Sequence, residues 1–360
     1  MKRWTLNRYF FRLYLFNFFS TLIAITALIY LIDLVELGRR SILSDGSFGL
    51  LLAFSALRVP SFIEQALPFI VLFSSIFTMI SLNRRLELVV ARAAGVSTWQ
   101  ILIPFLAGSL FLGLLATFAY NPLSAMAKAK AASIEASTEG KEPANTALQT
   151  PWLRQRAEGV TSIIGAKQVA ENGRVLSDVS AFIFGTDGSV ETRIDAPRAE
   201  LGEEEWILLR PRVTRIGYTP RDLVEYRLPT SLKPEYIEQR LADPETISIW
   251  ELGSKIDAAA SLDFNSMAFS MQYHTLLAQP ALFVAMTVLA ATVATRFSRT
   301  AQPGRVFVAG VLAGFVLYVV TFLAKALGSN DIVSPIIAAW FPVLAAGLFG
   351  VTILLHQEDG

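Results

Sequence analysis

Residues 13–32 read LYLFNFFSTLIAITALIYLI, a run of 20 residues without a single charge. A helix of that length rises about 30 Å, which is the thickness of the hydrocarbon core of a bilayer. Five more uncharged apolar runs of similar length follow, at residues 65–82, 101–120, 275–295, 306–324 and 332–355. The sequence therefore predicts six transmembrane helices, three on each side of a long polar middle segment.

The composition agrees with a membrane protein. Hydrophobic residues make up 53% of the 360 residues and charged residues only 17%, whereas soluble proteins carry about 25% charged residues. The first apolar run is longer than the core of a signal peptide, and no clear cleavage site precedes Arg39. We therefore expect it to be retained as the first helix.

Several kinds of chemistry are absent from the sequence. There is no cysteine and there are only two histidines, His274 and His356, which argues against thiol chemistry and a histidine-rich metal site. No nucleotide-binding loop occurs, because Gly140-Lys141 lacks both the upstream glycine and the hydroxyl residue. The net charge of +1 produces no overall positive electrostatic field that would attract nucleic acid. We predict a protein that is not an enzyme and binds no cofactor directly.

The distribution of basic residues predicts the orientation, because short cytoplasmic loops of membrane proteins are enriched in lysine and arginine. Basic clusters precede the first run, separate the second from the third, and separate the fourth from the fifth; they are Lys2, Arg3, Arg8, Arg12, Arg84, Arg85, Arg92, Arg296, Arg299 and Arg305. Both termini are then cytoplasmic and the long middle segment is outside. The acidic residues Asp33, Glu36 and Glu64 fall near the outer helix ends, where we expect them to be solvated.

Residues 84–100, RRLELVVARAAGVSTWQ, predict a short helix between the second and third runs. Leu86, Val89, Val90 and Ala93 have the spacing of one helical face. Gly95 suits a C-terminal cap, and Ser97 followed by a glutamine three residues later suits a capping box. Such a helix is either a docking element for a soluble motor protein or an ordinary interfacial connection.

The middle segment predicts an antiparallel β-domain. Alternating segments at residues 160–170, 174–184 and 189–201 are joined through Asn172-Gly173 and Asp187-Gly188, which favour tight hairpins. Residues 206–218 add a strand interrupted by Pro211, residues 223–228 add another strand, and residues 247–260 suit a surface helix. We predict an α+β membrane protein with six transmembrane helices, three plus three, and an inserted periplasmic β-jelly-roll domain. Its parts are residues 1–120 with a cytoplasmic coupling helix at 84–95, residues 121–265, and residues 266–360.

Short motifs spread over the whole chain resemble the LptF/LptG permeases of lipopolysaccharide export. They are ELVV at 87–90, AG at 94–95, PWLR at 151–154, SDV at 177–179, Gly202 with Trp206, SIWEL at 248–252, YH at 273–274 with Pro280, and LLHQEDG at 354–360. Each motif is weak alone, but their order is specific. Residues 86–90 and 356–358 are more similar to LptG than to LptF.

The resemblance implies a function and a set of partners. The chain would be the permease subunit of an ABC transporter that extracts lipopolysaccharide from the outer leaflet of the bacterial inner membrane and passes it to a periplasmic bridge. Partners would be an LptF-like permease in a heterodimer, an LptB-like ATPase dimer that uses ATP, an LptC-like single-span protein and an LptA-like bridge. The coupling residues would be Arg84, Leu86, Glu87, Val89, Val90, Arg92 and Ala93.

The lipid path is expected along the outer ends of the first and fifth helices. Its candidate residues are Arg39, Arg40, Arg58 and Lys325, because arginine and lysine bind phosphate. The family's basic residues late in the first span do not align here, because Tyr30 and Glu36 stand near those places, and Arg39 and Arg40 follow slightly later as their possible substitutes. Gly310 and Gly314 form a small-xxx-small pair for close helix packing.

Two other functions remain open from the residues. One is an ABC permease for another cargo, such as a different lipid or a lipoprotein. The other is a membrane-anchored periplasmic scaffold that transports nothing, although an anchor needs no docking helix. Copurification of an ATPase separates the transporter from the scaffold.

Overall fold

The computed structural model describes residues 3–39, 48–138, 152–157, 160–170, 174–185, 189–202, 205–215, 217–230, 243–261, 266–295 and 303–358. The chain divides into a helical unit, Met1–Lys130 with Pro244–Gly360, and a β-unit, Ala131–Asp243. The turns expected at Asn172-Gly173 and Asp187-Gly188 lie outside the described residues, as does Arg40.

The helices follow the apolar runs of the sequence. In chain order they are α1 (Arg3–Arg39), α2 (Phe48–Arg84), α3 (Glu87–Ala93), α4 (Thr98–Leu115), α5 (Asn121–Thr138), α6 (Ile249–Ser261), α7 (Met267–Thr295), α8 (Pro303–Ser329) and α9 (Pro335–Glu358). In the described residues, six helical stretches are long and apolar enough to cross a membrane: Thr5–Arg39, Phe48–Arg84, Thr98–Glu135, Met267–Ala294, Val308–Ser329 and Pro335–His356. The six predicted apolar helices are thus confirmed.

The third apolar helix is longer than predicted. The sequence places its end at Tyr120, but a π-helical turn, Ala116–Tyr120, joins α4 directly to α5. This wider turn continues the helical path into a polar sequence that hydropathy alone does not include.

A proline and a glycine lock the third and fourth apolar helices together. Pro280 of α7 has no N–H, so the carbonyl of Leu276 loses its helical partner. The Thr117 hydroxyl donates to that carbonyl at 3.0 Å and also lies 3.3 Å from the Gln279 side-chain oxygen. Gly113 permits the approach, because a Cβ there would lie 2.5 Å from the Cα of Pro280.

Helix α8 approaches α2 through the two glycines that the sequence singles out. A Cβ on Gly310 would meet the side chain of Ile76, and a Cβ on Gly314 would lie 2.6 Å from Leu72. Small residues let helix backbones approach closely in a membrane. The pair therefore acts within the chain, between the fifth and second apolar helices.

The β-unit contains one antiparallel sheet. Its strands are β1 (Trp152–Ala157), β2 (Val160–Ala170), β3 (Val175–Phe184), β4 (Val190–Leu201), β5 (Glu205–Leu209), β6 (Arg212–Arg215), β7 (Arg221–Asp222) and β8 (Glu225–Pro229). The path runs β1-β2-β3-β4-β5-β8, with β6 pairing β4 and β7. The predicted antiparallel strands are confirmed, and closure into a jelly roll stays a prediction.

The interruption predicted at Pro211 is confirmed. The strand predicted over residues 206–218 forms β5 and β6, because Arg210 adopts a φ of +48° and Pro211 follows it. Both halves still pair with β4. Strand β1 was not predicted, since WLRQRA lacks a clear alternation of apolar and polar residues.

The first and last strands of the path meet through a buried glutamine. Gln155 of β1 donates to the carbonyl of Pro229 at 3.3 Å, and the Thr230 hydroxyl donates to the Gln155 side-chain oxygen at 2.5 Å. Backbone pairing does not join these two strands in the described sheet path. The sheet therefore curls until its two ends are linked by a side chain.

We expect Gly113→Ala to lower the melting temperature of the purified protein in detergent. The added Cβ meets the backbone of α7 and cannot be relieved by a side-chain rotation, so the cost is about 1–3 kcal/mol. The matched control is Gly347→Ala in α9, where a Cβ would make ordinary contact with Ala285 at 3.9 Å. Alanine in an open helix interior is favoured over glycine, so this control equals or exceeds the wild type. Equal melting temperatures for the two variants would contradict the close packing of Gly113 against Pro280.

Candidate functional site

Helix α3 ends in a well-formed C-terminal cap. Gly95 has a φ of +81°, and the N–H of Val96 donates to the carbonyl of Ala91 at 3.1 Å. The N–H of Gly95 donates to the carbonyl of Arg92 at 2.9 Å. These two bonds form a Schellman motif, which only glycine adopts without strain. The glycine cap predicted from the sequence is confirmed.

The junction from α3 to α4 is also fixed by side chains. The Ser97 hydroxyl accepts a hydrogen bond from the N–H of Gln100 at 3.3 Å, which confirms the predicted serine cap. The guanidinium of Arg92 donates to the Thr98 hydroxyl at 3.2 Å. Helix α3 is therefore held at a defined angle to α4 rather than left as a loose connection.

One face of α3 is exposed and apolar. The large side chains on this face are exposed by 61%, 47% and 66% in turn at Leu86, Val89 and Val90. Ala93 is exposed beside them. The opposite face is anchored by Ala91, which is 7% exposed, and by Leu88, which packs against the buried core. The predicted face is confirmed for Val89, Val90 and Ala93, but the helix is shorter than the predicted span of residues 84–95, and Leu86 precedes it with a φ of +59°. The docking role of this surface stays a prediction.

Glu87 has a partner that the sequence does not suggest. The Tyr9 hydroxyl of α1 donates to its carboxylate at 3.2 Å. Arg84 stands three residues before Glu87, a spacing that would allow a local ion pair on a helix. In the described residues the hydrogen bond of Glu87 instead connects α3 to the start of the first helix.

The structure separates the predicted lipid-path cations. Arg39 lies exposed in the last turn of α1. Arg58 is tied into the interior, 3.5 Å from the carboxylate of Asp33 and 5.7 Å from the ring centroids of both Phe54 and Phe62. Asp33 is only 6% exposed. The expectation that Asp33 is solvated is therefore wrong, because Arg58 provides its counter-charge.

Lys325 belongs to a three-residue ion cluster. Its ammonium lies 2.8 Å from Oε1 of Glu245, while the ammonium of Lys128 lies 2.6 Å from Oε2 of the same carboxylate. Glu245 stands on a short 3₁₀ turn, Pro244–Thr246, directly ahead of α6. We call Lys128, Glu245 and Lys325 the triad. Sequence reasoning missed two of its members, because nothing local marks residues that far apart in the chain.

The triad keeps Glu245 ionised at neutral pH. Burial alone raises the pKa of this carboxyl, but the charges and hydrogen bonds of Lys325 and Lys128 outweigh burial and lower the pKa to about 2. The carboxylate is therefore a permanent anion at physiological pH.

A cavity of about 470 Å³ opens beside the triad, within the range of small-molecule sites. All three triad residues line it, together with Glu64. Its remaining wall is mainly apolar and includes Phe69, Leu276, Leu282, Met286, Leu317 and Phe322. The cavity thus combines a charged region with an apolar one, as an amphiphile requires.

A second polar junction lies beside this cavity. The amide of Asn121 donates to the Glu64 carboxylate at 2.8 Å and accepts from the N–H of Ile249 at 2.9 Å. Asn121 is 1% exposed. Its two hydrogen bonds join α2, the third apolar helix and the first residue of α6.

Within the described residues, no group of three or more histidine, aspartate or glutamate side chains is placed to hold a metal ion.

The triad should give the protein an acid-dependent stability. Because the pKa of Glu245 is lowered from 4.5 to about 2 on folding, its stabilisation is complete above pH 4.5 and is lost as the pH falls toward 2. We expect Glu245→Gln to lower the melting temperature by a few degrees at pH 7, with the gap to wild type closing near pH 2. A difference in melting temperature between wild type and Glu245→Gln that did not depend on pH would contradict the ion cluster.

The comparison with known proteins agrees with this architecture. Residues 8–356 match the family described as lipopolysaccharide export system permease LptF/LptG. No curated protein gives a significant match. Proteins of the matched family are multi-pass transporter subunits of the inner membrane and not enzymes. Because the match spans nearly the whole sequence, the chain belongs to the LptF/LptG family of lipopolysaccharide export permeases.

Proposed function

We propose that this protein is the LptG-type permease subunit of an ABC transporter, which extracts lipopolysaccharide from the outer leaflet of the inner membrane. Both termini and α3 face the cytoplasm, and the β-unit faces the periplasm. The basic residues around α3 support this orientation. The sequence contains no nucleotide-binding loop, so the energy for extraction has to come from a partner or an ion gradient, and a partner ATPase is the source in this proposal.

Exposed apolar helix faces support assembly with further membrane proteins. In the most apolar 18-residue stretch of each helix, only 11% of α1 and 17% of α8 is buried within the chain. These surfaces suit lipid, the paired LptF-like permease and the single helix of an LptC-like protein. The first and fifth helices thus have the freedom that a lipid entrance between two permeases needs.

The exposed face of α3 is the observation that carries the proposal. Leu86, Val89 and Val90 form an apolar surface that the described part of the chain leaves exposed. The caps at Gly95 and Ser97 fix the position of α3 relative to α4, so a displacement of α3 would be transmitted to α4. An LptB-like ATPase dimer would bind this surface and transmit its closure on ATP to the membrane helices.

Glu87→Ala should release the ATPase while leaving the permease inserted. The family resemblance places Glu87 in contact with the ATPase, where its carboxylate would pair with an arginine of that partner. Losing one member of such a desolvated charge pair costs about 2–5 kcal/mol of binding. The measurement is the amount of ATPase that copurifies with the tagged permease complex, together with lipopolysaccharide export in a strain that depends on this copy.

Tyr9→Phe is the matched control, because it removes the intramolecular hydrogen bond of Glu87 and keeps the carboxylate. We expect this variant to retain the ATPase. If Glu87→Ala also retained the ATPase and supported growth, α3 would be an ordinary interfacial connection.

The β-unit would receive an acyl chain and pass it to an LptA-like periplasmic bridge. Its buried apolar interior includes Ile164, Ile194 and Leu208. The contact at Gln155 supports a curled sheet with an open seam, which suits a jelly roll that docks edge to edge with a related domain.

Two alternatives are separated by direct measurements. A permease for another lipid or a lipoprotein predicts a different molecule in the purified complex, which mass spectrometry of copurified lipids would identify. A periplasmic scaffold predicts no copurifying ATPase. The exposed apolar face of α3 favours the transporter over the scaffold.

A further inference from the structure

The triad brings two ammonium groups to one anion. Each oxygen of the Glu245 carboxylate contacts a different lysine, at 2.6 Å for Lys128 and 2.8 Å for Lys325. Two lysines held this close repel one another unless an anion lies between them. Glu245 fills that place, and any other group with two or more anionic oxygens would satisfy the same two donors.

The cavity beside the triad is electrically balanced only while Glu245 stays. Lys128, Lys325, Glu64 and Glu245 all line it, so their formal charges cancel. If Glu245 withdraws, the remaining three side chains carry a net positive charge next to an apolar wall. That combination fits an amphiphile with an anionic headgroup.

A buried amide gives independent support for a ligand at this place. Gln272 is 7% exposed and lines the same cavity. Its side-chain oxygen is buried with no hydrogen-bond donor among the described residues. An unsatisfied buried acceptor costs about 1–3 kcal/mol. A ligand that carries an amide N–H or a hydroxyl beside its acyl chain would satisfy this oxygen.

We propose that Glu245 is an internal counter-ion that occupies the anion site of Lys128 and Lys325 in the empty permease, and that a phosphate of the cargo lipid replaces it. The inference rests on the proposed function and deepens it, because it names the residue that selects phosphorylated lipid. Each lysine exchanges a carboxylate oxygen for a phosphate oxygen, and no covalent bond changes.

The exchange discriminates among lipids. A phosphate monoester carries about 1.5 to 2 negative charges and three acceptor oxygens, so it competes well with a carboxylate for two lysines. A zwitterionic headgroup brings its own cation beside Lys128 and Lys325 and is repelled. Glu245 therefore raises the threshold for entry, and only a strongly anionic headgroup passes it.

The exchange also changes which helices are linked by the ion cluster. Glu245 ties the turn ahead of α6 to Lys325 on α8 and to Lys128 on α5. Helix α8 is otherwise only shallowly buried within the chain. When a phosphate takes both lysines, α8 and α5 are linked through the ligand, and the turn ahead of α6 is released.

The test measures lipid affinity of the purified full complex by ligand-dependent thermal stabilisation, with bisphosphorylated lipid A and with phosphatidylcholine. We expect Glu245→Gln to raise the affinity for bisphosphorylated lipid A by at least about fivefold, the lower end of typical coupling between competing interactions. Lys128→Gln and Lys325→Gln should lower it. Phosphatidylcholine binding should stay unchanged in Glu245→Gln, because both lysines remain and still repel the choline cation.

Glu251→Gln is the matched control. This nearby glutamate accepts from the Ser248 hydroxyl at 3.0 Å at the start of α6, where glutamine caps equally well. Its lipid affinity should equal that of wild type. A purely structural triad would make Glu245→Gln less stable without raising lipid affinity, and that result would overturn the proposal.

Three further outcomes are decisive. If Glu245→Gln fails to fold, Glu245→Asp keeps the charge but is too short to bridge both lysines, and it should bind bisphosphorylated lipid A more tightly than wild type; equal affinity would refute the exchange. If wild type and every variant fail to bind the phosphorylated lipid, the proposed lipid function itself fails. Binding by wild type with no gain in either Glu245 variant removes the counter-ion role alone.

Discussion

A polar group left unpaired in hydrocarbon costs several kcal/mol, and Pro280 creates one by leaving the carbonyl of Leu276 without its helical donor. The hydroxyl of Thr117, on a π-helical turn of the neighbouring helix, donates a hydrogen bond to this carbonyl. The same turn offers the carbonyl of Phe118 to the indole N–H of Trp250 at 3.3 Å, and Asn121 follows directly. One stretch of the third helix therefore satisfies polar groups from three other helices.

That stretch organises the region where the chain leaves for the β-unit and returns from it. Asn121 binds the first residue of α6, and Lys128 and Glu245 lie on the outgoing and returning segments of the helical unit. The charged side chains of the triad are held by one another while staying partly exposed, at 27% for Lys128, 32% for Glu245 and 36% for Lys325. A lipid that uses these cations has to exchange partners with the protein, which makes binding selective at the cost of affinity.

The other candidate region, α3, is stabilised in a different way. Its caps satisfy its own backbone, and a few inward side chains hold it against the core. Its outward surface is left apolar and uncovered by the chain. Rigid presentation of such a surface favours binding, because little conformational entropy is lost when a partner covers it.

The sequence by itself determined the six apolar helices, the antiparallel strands, and the face and caps of α3, because these depend on residues close together in the chain. It failed where partners are distant. Arg58 is paired with Asp33, Lys325 with Glu245, and Glu87 with Tyr9. Only tertiary packing decides such pairs, since the partners of a charged side chain depend on which groups surround it in space and not on its neighbours in sequence.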